Sequence, residues 1–149
     1  MSTIMPEGEE IRSAIKWISM NLEEDPGQYK PDLGVVDFNR SGIPLIEIVT
    51  EPDMHTIEEV RAYSQELRLL LRYLEITSGD MEKGAMRFEA NVSMRRSEHD
   101  ELGTRVEIKN LNSIHAMEKA IAFELKRQQK ILEEGGSVLQ ETLGWNESR

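Results

Sequence analysis

Two stretches of strict polar–apolar alternation constrain this chain more than any other feature. In Met86-Arg87-Phe88-Glu89-Ala90-Asn91-Val92-Ser93-Met94-Arg95 every second residue is apolar. Successive side chains of a strand point to opposite faces. Met86, Phe88, Ala90, Val92 and Met94 therefore share one face, and Arg87, Glu89, Asn91, Ser93 and Arg95 the other. Arg105-Val106-Glu107-Ile108-Lys109 repeats the scheme, with Val106 and Ile108 inward. The polar connection from Arg96 to Gly103 suits a hairpin, so the two polar rows would lie side by side. Carboxylates interleaved with Arg and Lys can hold a divalent metal and neutralise phosphate oxygens together. The same pattern also describes a solvated sheet face laced with cross-strand ion pairs. Alternation alone does not separate the two.

At 149 residues the chain fits one domain, 1–149, large enough for a real core. No apolar run reaches the length of a membrane span, and no charged-then-apolar leader opens the chain, so it reads as soluble and non-secreted. Without cysteine, neither a disulfide framework nor a Cys-ligated zinc site can form. Eighteen basic against 28 acidic residues give a formal net charge of −10. Such a surface repels nucleic acid globally, so any contact with RNA must be local or made through partners.

Residues 1–9, with Pro6 and Gly8, read as a frayed lead-in or as part of an interrupted strand pair. Ile11 to Leu22 is an apolar-rich strand candidate closed by Glu23-Glu24-Asp25 and the turn Pro26-Gly27. Leu33 to Phe38 is a short apolar run, and Asn39-Arg40-Ser41-Gly42 turns the chain into a strand over Leu45–Glu51 that Pro52 stops. Strands of this composition usually have a covered face. Thr56-Ile57-Glu58-Glu59 has capping-box spacing, and Ile57, Val60, Leu67, Leu70, Leu71 and Leu74 recur at helical intervals, predicting a helix over 57–74. Leu67 and Leu71 are expected to pack on the sheet face of Phe88, Ala90 and Val92. Ser113 caps a second helix with the stripe Ile114, Met117, Ile121, Leu125 and Leu132, and Lys126, Arg127 and Lys130 suit its C-terminal dipole. Gly135-Gly136 ends it, and Val138–Thr142 is a candidate last strand. This order predicts an α+β fold: an antiparallel sheet with helices on one face.

Among candidate functional residues, Glu47 interrupts the apolar run Ile46–Ile48, where a carboxylate needs a cation, a donor or solvent. A partly exposed face shared with Glu51 answers that need equally well. Arg87, Arg105 and Lys109 can meet phosphates by charge-assisted hydrogen bonds, or simply pair with Glu89 and Glu107. Lys109-Asn110-Leu111-Asn112-Ser113 places amides and a hydroxyl at a strand-to-helix junction, suited to an anion or to plain cap chemistry. His55, His99 and His115 lack metal-ligand spacing and read as surface residues, and Tyr63, Tyr73, Trp17 and Trp145 as core or interface residues. No nucleophile elbow, Walker A loop or GxGxxG occurs.

A longer set of motifs points to one family. Leu22-Glu23-Glu24-Asp25-Pro26-Gly27, Val36 through Val49, Glu51-Pro52-Asp53, Arg87 through Ser93, Gly103 through Ser113 and Glu134-Gly135-Gly136 stand in the order of its motifs. From about Ile11 to Arg149 the chain resembles the B subunit of the aspartyl/glutamyl-tRNA(Asn/Gln) amidotransferases. The resemblance implies an ATP-dependent ligase acting in protein biosynthesis. The side-chain carboxylate of a mischarged Glu-tRNA(Gln) or Asp-tRNA(Asn) is activated by ATP, and ammonia released from glutamine displaces the phosphate to give Gln-tRNA(Gln) or Asn-tRNA(Asn). It further implies a cytoplasmic complex with an amidase (A) and a small C subunit, ATP and Mg2+ as cofactors, and a fold similar to the glutamine synthetase/guanido kinase catalytic domain.

Carried over position by position, Glu24, Glu89 and Glu107 correspond to metal-site carboxylates. Arg87, Asn91 and Lys109 correspond to catalytic positions, and Arg40, Glu47 and Asn110 to ATP or substrate contacts. The chain departs from the family pattern at Asn21 (often His), Gln28 (usually Lys), Phe88 (commonly Cys) and Glu89 (usually Asp). The extra methylene of Glu89 moves a ligand oxygen by roughly a bond length. The family's first strand, with a Gly-Leu-Glu-Val-His motif and further metal ligands, is expected before residue 1, and its tRNA-gripping helical regions after residue 149. On that expectation the chain is the middle of the subunit, inactive by itself and with a metal site empty or filled by water. Two other readings predict different behaviour. A non-catalytic interaction module would keep a partner without binding metal, and a small-molecule carboxylate–ammonia ligase would hydrolyse ATP with a free amino acid and no tRNA.

Overall fold

The computed structural model describes residues 2–4, 10–12, 14–23, 29–30, 33–36, 38–97 and 99–146. In chain order these form β1 (Ser2–Ile4), β2 (Glu10–Arg12), β3 (Ile15–Leu22), β4 (Tyr29–Lys30), β5 (Val35–Val36), β6 (Pro44–Thr50), α1 (Ile57–Tyr73), β7 (Phe88–Val92), β8 (Val106–Leu111), α2 (Ile114–Glu133) and β9 (Thr142–Gly144). The architecture is α+β, as the element order predicts. The strands form four sheets: the antiparallel pairs β1–β2, β3–β6 and β4–β5, and a three-stranded sheet in the order β7-β8-β9. Among the described residues no helix is long and apolar enough to cross a membrane.

The core lies on the β7–β8–β9 sheet. Val92, Ile108, Leu111, Met117, Ala120 and Ile121 form its buried cluster, with Phe88, Ala90, Ile57, Val60, Leu125 and Trp145 packed around it. Ala120 lets α2 approach the strands closely while Met117 and Ile121 fill the space between. The alternation in β7 is as expected: Phe88, Ala90 and Val92 turn toward α2, and Glu89 and Asn91 are exposed. In β8, however, Val106, Ile108 and Leu111 are all buried, a pattern that strict alternation forbids. Phe88 pairs with Leu111 but Ala90 with Ile108, so β8 carries one extra residue in a bulge. Asn110 absorbs it at φ 62°, a left-handed conformation that asparagine tolerates better than most residues. Where the β7–β8 connection returns, Gly103 passes so close to the Met94 carbonyl that a Cβ would lie 2.1 Å from its oxygen. Only glycine fits there.

The capping box at α1 is fully formed. Thr56 Oγ1 accepts from the Glu59 amide at 3.1 Å, and the Glu59 carboxylate accepts from the Thr56 amide at 2.8 Å. Leu67 is buried, but Leu71 is only half-buried, and Ile57 and Val60 are the α1 residues that reach the sheet core. The expected packing of Leu67 and Leu71 on Phe88, Ala90 and Val92 gives way to α2, which covers the sheet while α1 packs on α2. An Arg61–Glu118 ion pair at 3.4 Å links the two helices.

Three further expectations are revised. The continuous strand over Ile11–Leu22 is broken near Ala14, whose amide donates to Asp53 Oδ2 at 2.8 Å. The last strand lies at Thr142–Gly144 rather than Val138–Thr142 and runs parallel to β8, making this sheet mixed. Among the described residues most of the β3–β6 ribbon stands open: Trp17 is 52 % and Met20 78 % exposed, with partial burial mainly at the end of β6. A two-stranded ribbon buries a face only where another layer meets it. Tyr73 is likewise exposed and Tyr63 buried, while all three histidines lie on the surface.

Candidate functional site

The outward face of the β7–β8 hairpin brings four of the sequence-predicted residues together. Asn91 stands directly across from Glu107, and the β8 bulge sets Lys109 beside Glu89. The Lys109 ammonium lies 3.6 Å from Glu89 Oε1 and 3.8 Å from Glu107 Oε1. One positive charge thus sits between two carboxylates on a rigid sheet whose other face is the core. Both pairs are partly exposed, so each adds under about 1 kcal/mol to stability. Their interest is chemical: two carboxylate oxygens already converge on a single cation. Magnesium takes one or two protein carboxylates and completes its shell with water and phosphate. Glu89 and Glu107 therefore fit it in donor type and number.

The remaining predicted residues lie apart from this quartet. Arg87, just before β7, pairs with the nearly buried carboxylate of Glu23. Arg40 donates to the carbonyls of Lys83 at 3.3 Å and Gly84 at 2.5 Å, which ties the turn before β6 to the loop after α1. Glu47 lies exposed on the β3–β6 ribbon and accepts from Ser19 Oγ at 3.2 Å, so solvent and a hydroxyl meet the need its apolar neighbours create. Asn110 is exposed at the bulge, and its amide nitrogen would sit 3.1 Å from a Cβ at Gly144. Glu24 lies outside the described residues, as does Gln28. Among the described residues no three His, Asp or Glu side chains cluster as a metal site. Of the departures, Phe88 packs against the core, and Asn21 donates to Ser19 Oγ at 3.2 Å.

Sequence reasoning missed a polar network behind the sheet. Glu124 is 1 % exposed and receives two hydrogen bonds from Arg127, Nε to Oε2 at 2.8 Å and Nη2 to Oε1 at 2.9 Å. These bonds push the Arg127 guanidinium further above its ordinary pKa. Arg127 also reaches Glu141 at 3.0 Å, so it is no mere complement to the helix dipole. Gln128 Nε2 donates to Glu124 Oε1 at 2.8 Å and to the Val92 carbonyl at 3.0 Å. The signal was present: Met117, Ile121, Glu124 and Gln128 follow one another at helical spacing, so the two polar residues continue the apolar stripe inward. Thr142, also missed, donates its hydroxyl to Glu107 Oε2 at 2.8 Å.

Comparison with known proteins places the chain in a family. Residues 3–149 match the model of the GatB/GatE catalytic domain. The chain is 50 % identical over 131 residues to the B subunit of the aspartyl/glutamyl-tRNA(Asn/Gln) amidotransferase of Herpetosiphon aurantiacus, covering 86 % of this chain and 27 % of the relative. Its counterpart of the same name from Thermoanaerobacter sp. is 48 % identical over 133 residues (87 % of this chain, 28 % of the relative). That from Caldanaerobacter subterraneus is 47 % identical over 146 residues (96 % and 30 %). The chain thus spans under a third of the length of these relatives. Matched over nearly its whole length, the chain belongs to the GatB/GatE catalytic domain family.

Proposed function

We propose that this chain is the central part of the catalytic domain of a tRNA-dependent amidotransferase B subunit, and that the outward face of β7–β8 is its ATP and magnesium site. The observation that carries the reading is the convergence of Glu89 and Glu107 on one cation position, with Asn91 and Lys109 beside them on the same rigid face. In this reading Glu89 and Glu107, with Glu24, hold Mg2+, which when bound offsets phosphate charge. Lys109 and Arg87 supply positive charge to the transferring phosphoryl group, and Arg40 adds a phosphate contact. Asn91 and Asn110 orient polar groups by hydrogen bonds, and Glu47 contributes a further acidic group to the pocket. The substrate's side-chain carboxylate oxygen attacks the γ-phosphorus of ATP and ADP leaves. Ammonia then attacks the resulting acyl carbon, inorganic phosphate departs, and the nitrogen sheds a proton to give the amide.

The substrates are Glu-tRNA(Gln) or Asp-tRNA(Asn), and the partners an amidase that releases ammonia from glutamine and a small third subunit, assembled as a cytoplasmic heterotrimer. The names of the relatives, all B subunits of this amidotransferase, support the complex and the tRNA-linked reaction. The net charge of −10 leaves most tRNA contact to other parts of the complex. The test uses the full-length protein assembled with its partners and follows ATP cleavage. ATP cleavage should require mischarged tRNA and remain at background with free glutamate or aspartate. Equal cleavage with a free amino acid would instead identify a small-molecule ligase, and tRNA-independent partner binding without ATP cleavage an interaction module.

A further inference from the structure

Glu107 has two carboxylate oxygens with different surroundings. Oε2 accepts the Thr142 hydroxyl at 2.8 Å, while Oε1 faces Lys109 at 3.8 Å on the side of Glu89. Thr142 holds this place because β9 runs parallel to β8 with Thr142 across from Glu107. Backbone bonds bracket the pair: the Glu107 amide donates to the Glu141 carbonyl, and the Trp145 amide to the Lys109 carbonyl, each at 3.0 Å. Glu141, the residue before Thr142, is gripped by Arg127, which is itself anchored on the buried Glu124. A chain of contacts therefore runs from the helix interior to one oxygen of Glu107.

We propose that Thr142 is a positioning residue, whose hydroxyl occupies Glu107 Oε2 and leaves Oε1 as the oxygen offered to a divalent cation, with the Arg127–Glu141 pair fixing β9 for that purpose. The proposal rests on the reading of Glu107 as a magnesium ligand. Hydrogen-bond partners that orient metal ligands commonly change metal affinity 10–100-fold when removed. Thr142→Val keeps the shape of the side chain and deletes the hydroxyl. Thr142→Ser keeps the hydroxyl.

The experiment titrates Mn2+, as a stand-in for Mg2+, into the full-length protein in its assembled complex, counting free Mn2+ by electron paramagnetic resonance. Parental, Thr142→Val, Thr142→Ser and Glu107→Gln proteins are compared, with thermal unfolding as a folding control. Thr142→Val should weaken Mn2+ binding about tenfold at unchanged unfolding temperature, with Thr142→Ser within about twofold of parental. The magnesium concentration for half-maximal amidation should rise in parallel. If Glu107→Gln loses Mn2+ affinity while Thr142→Val binds as the parent does, the positioning role is overturned and the metal-ligand reading stands. If Thr142→Ser is as weak as Thr142→Val, the hydroxyl is not the cause and the proposal falls. If Glu107→Gln binds Mn2+ at parental strength, the metal-ligand reading itself fails, and the proposal with it.

Discussion

Removing Arg127 is the sharpest stability test of this structure, because its partner cannot escape to water. Glu124 is 1 % exposed and, among the described residues, keeps only the Gln128 amide at 2.8 Å once the guanidinium is gone. Breaking a fully buried ion pair from one side costs about 3–5 kcal/mol, mostly as the penalty of a charge left unpaired. Arg127 itself is 30 % exposed, so water screens part of the interaction, and Arg127→Met should cost about 2–4 kcal/mol. For a chain of 149 residues that corresponds to a fall of roughly 1–2 M in the urea midpoint at unchanged slope. Replacing both partners, Glu124→Leu with Arg127→Met, should recover most of the loss, since no buried charge remains. The assay is urea unfolding followed by circular dichroism for the parent, both single variants and the double. A loss under about 0.5 kcal/mol for Arg127→Met, typical of surface sites, would refute the buried-carboxylate account.

Two other perturbations separate buried from exposed positions. Leu67→Ala should cost about 2–5 kcal/mol, because Leu67 is buried, whereas half-buried Leu71→Ala should cost nearer 1 kcal/mol; equal losses in urea unfolding would contradict the observed difference in burial along α1. The Tyr63 hydroxyl is buried with no hydrogen-bond partner among the described residues, so Tyr63→Phe should be neutral or stabilising by up to about 1 kcal/mol. Burial, and secondarily the Asp53 carboxylate, hold its pKa above the ordinary value near 10. A raised folded pKa gives stability that is fully present below the unfolded value and lost as pH rises through the folded one. The parent should therefore lose stability above about pH 10 more steeply than Tyr63→Phe, and parallel pH profiles would show that the phenol is not buried.

The sequence made the β7–β8 hairpin legible because its periodicity is local and its face choice follows from neighbours two residues apart. Both helix starts were legible for a similar reason, since Thr56 and Ser113 cap amides only three residues away. What escaped was non-local. The β8 bulge depends on Leu111 finding the core, and only then does Asn110 take its left-handed turn. The parallel pairing of β9 joins residues 35 apart, and nothing near Thr142 announces Glu107. Glu124 and Gln128 are hidden from a reading by polarity, because carboxylate and amide side chains usually face solvent, although their spacing continues the buried stripe. The open β3–β6 ribbon shows the converse: Trp17, Ile18 and Met20 look like core by composition, but burial depends on a second layer meeting them.

The central claim is that the outward face of β7–β8 performs the ATP-dependent step, and Glu107→Gln in the full-length assembled enzyme tests it most directly. The substitution keeps the side chain's size and removes one negative charge from the cation position shared with Glu89. The rate of Gln-tRNA formation from mischarged Glu-tRNA, or of Asn-tRNA from Asp-tRNA, should fall about 10²–10³-fold, the scale expected when one electrostatic contact to the developing charge is lost. Glutamine hydrolysis, which the proposed reading assigns to a partner subunit, should persist in the same preparation. Amidation at the parental rate with Glu107→Gln would contradict the account, returning this face to a solvated sheet held by ordinary cross-strand ion pairs.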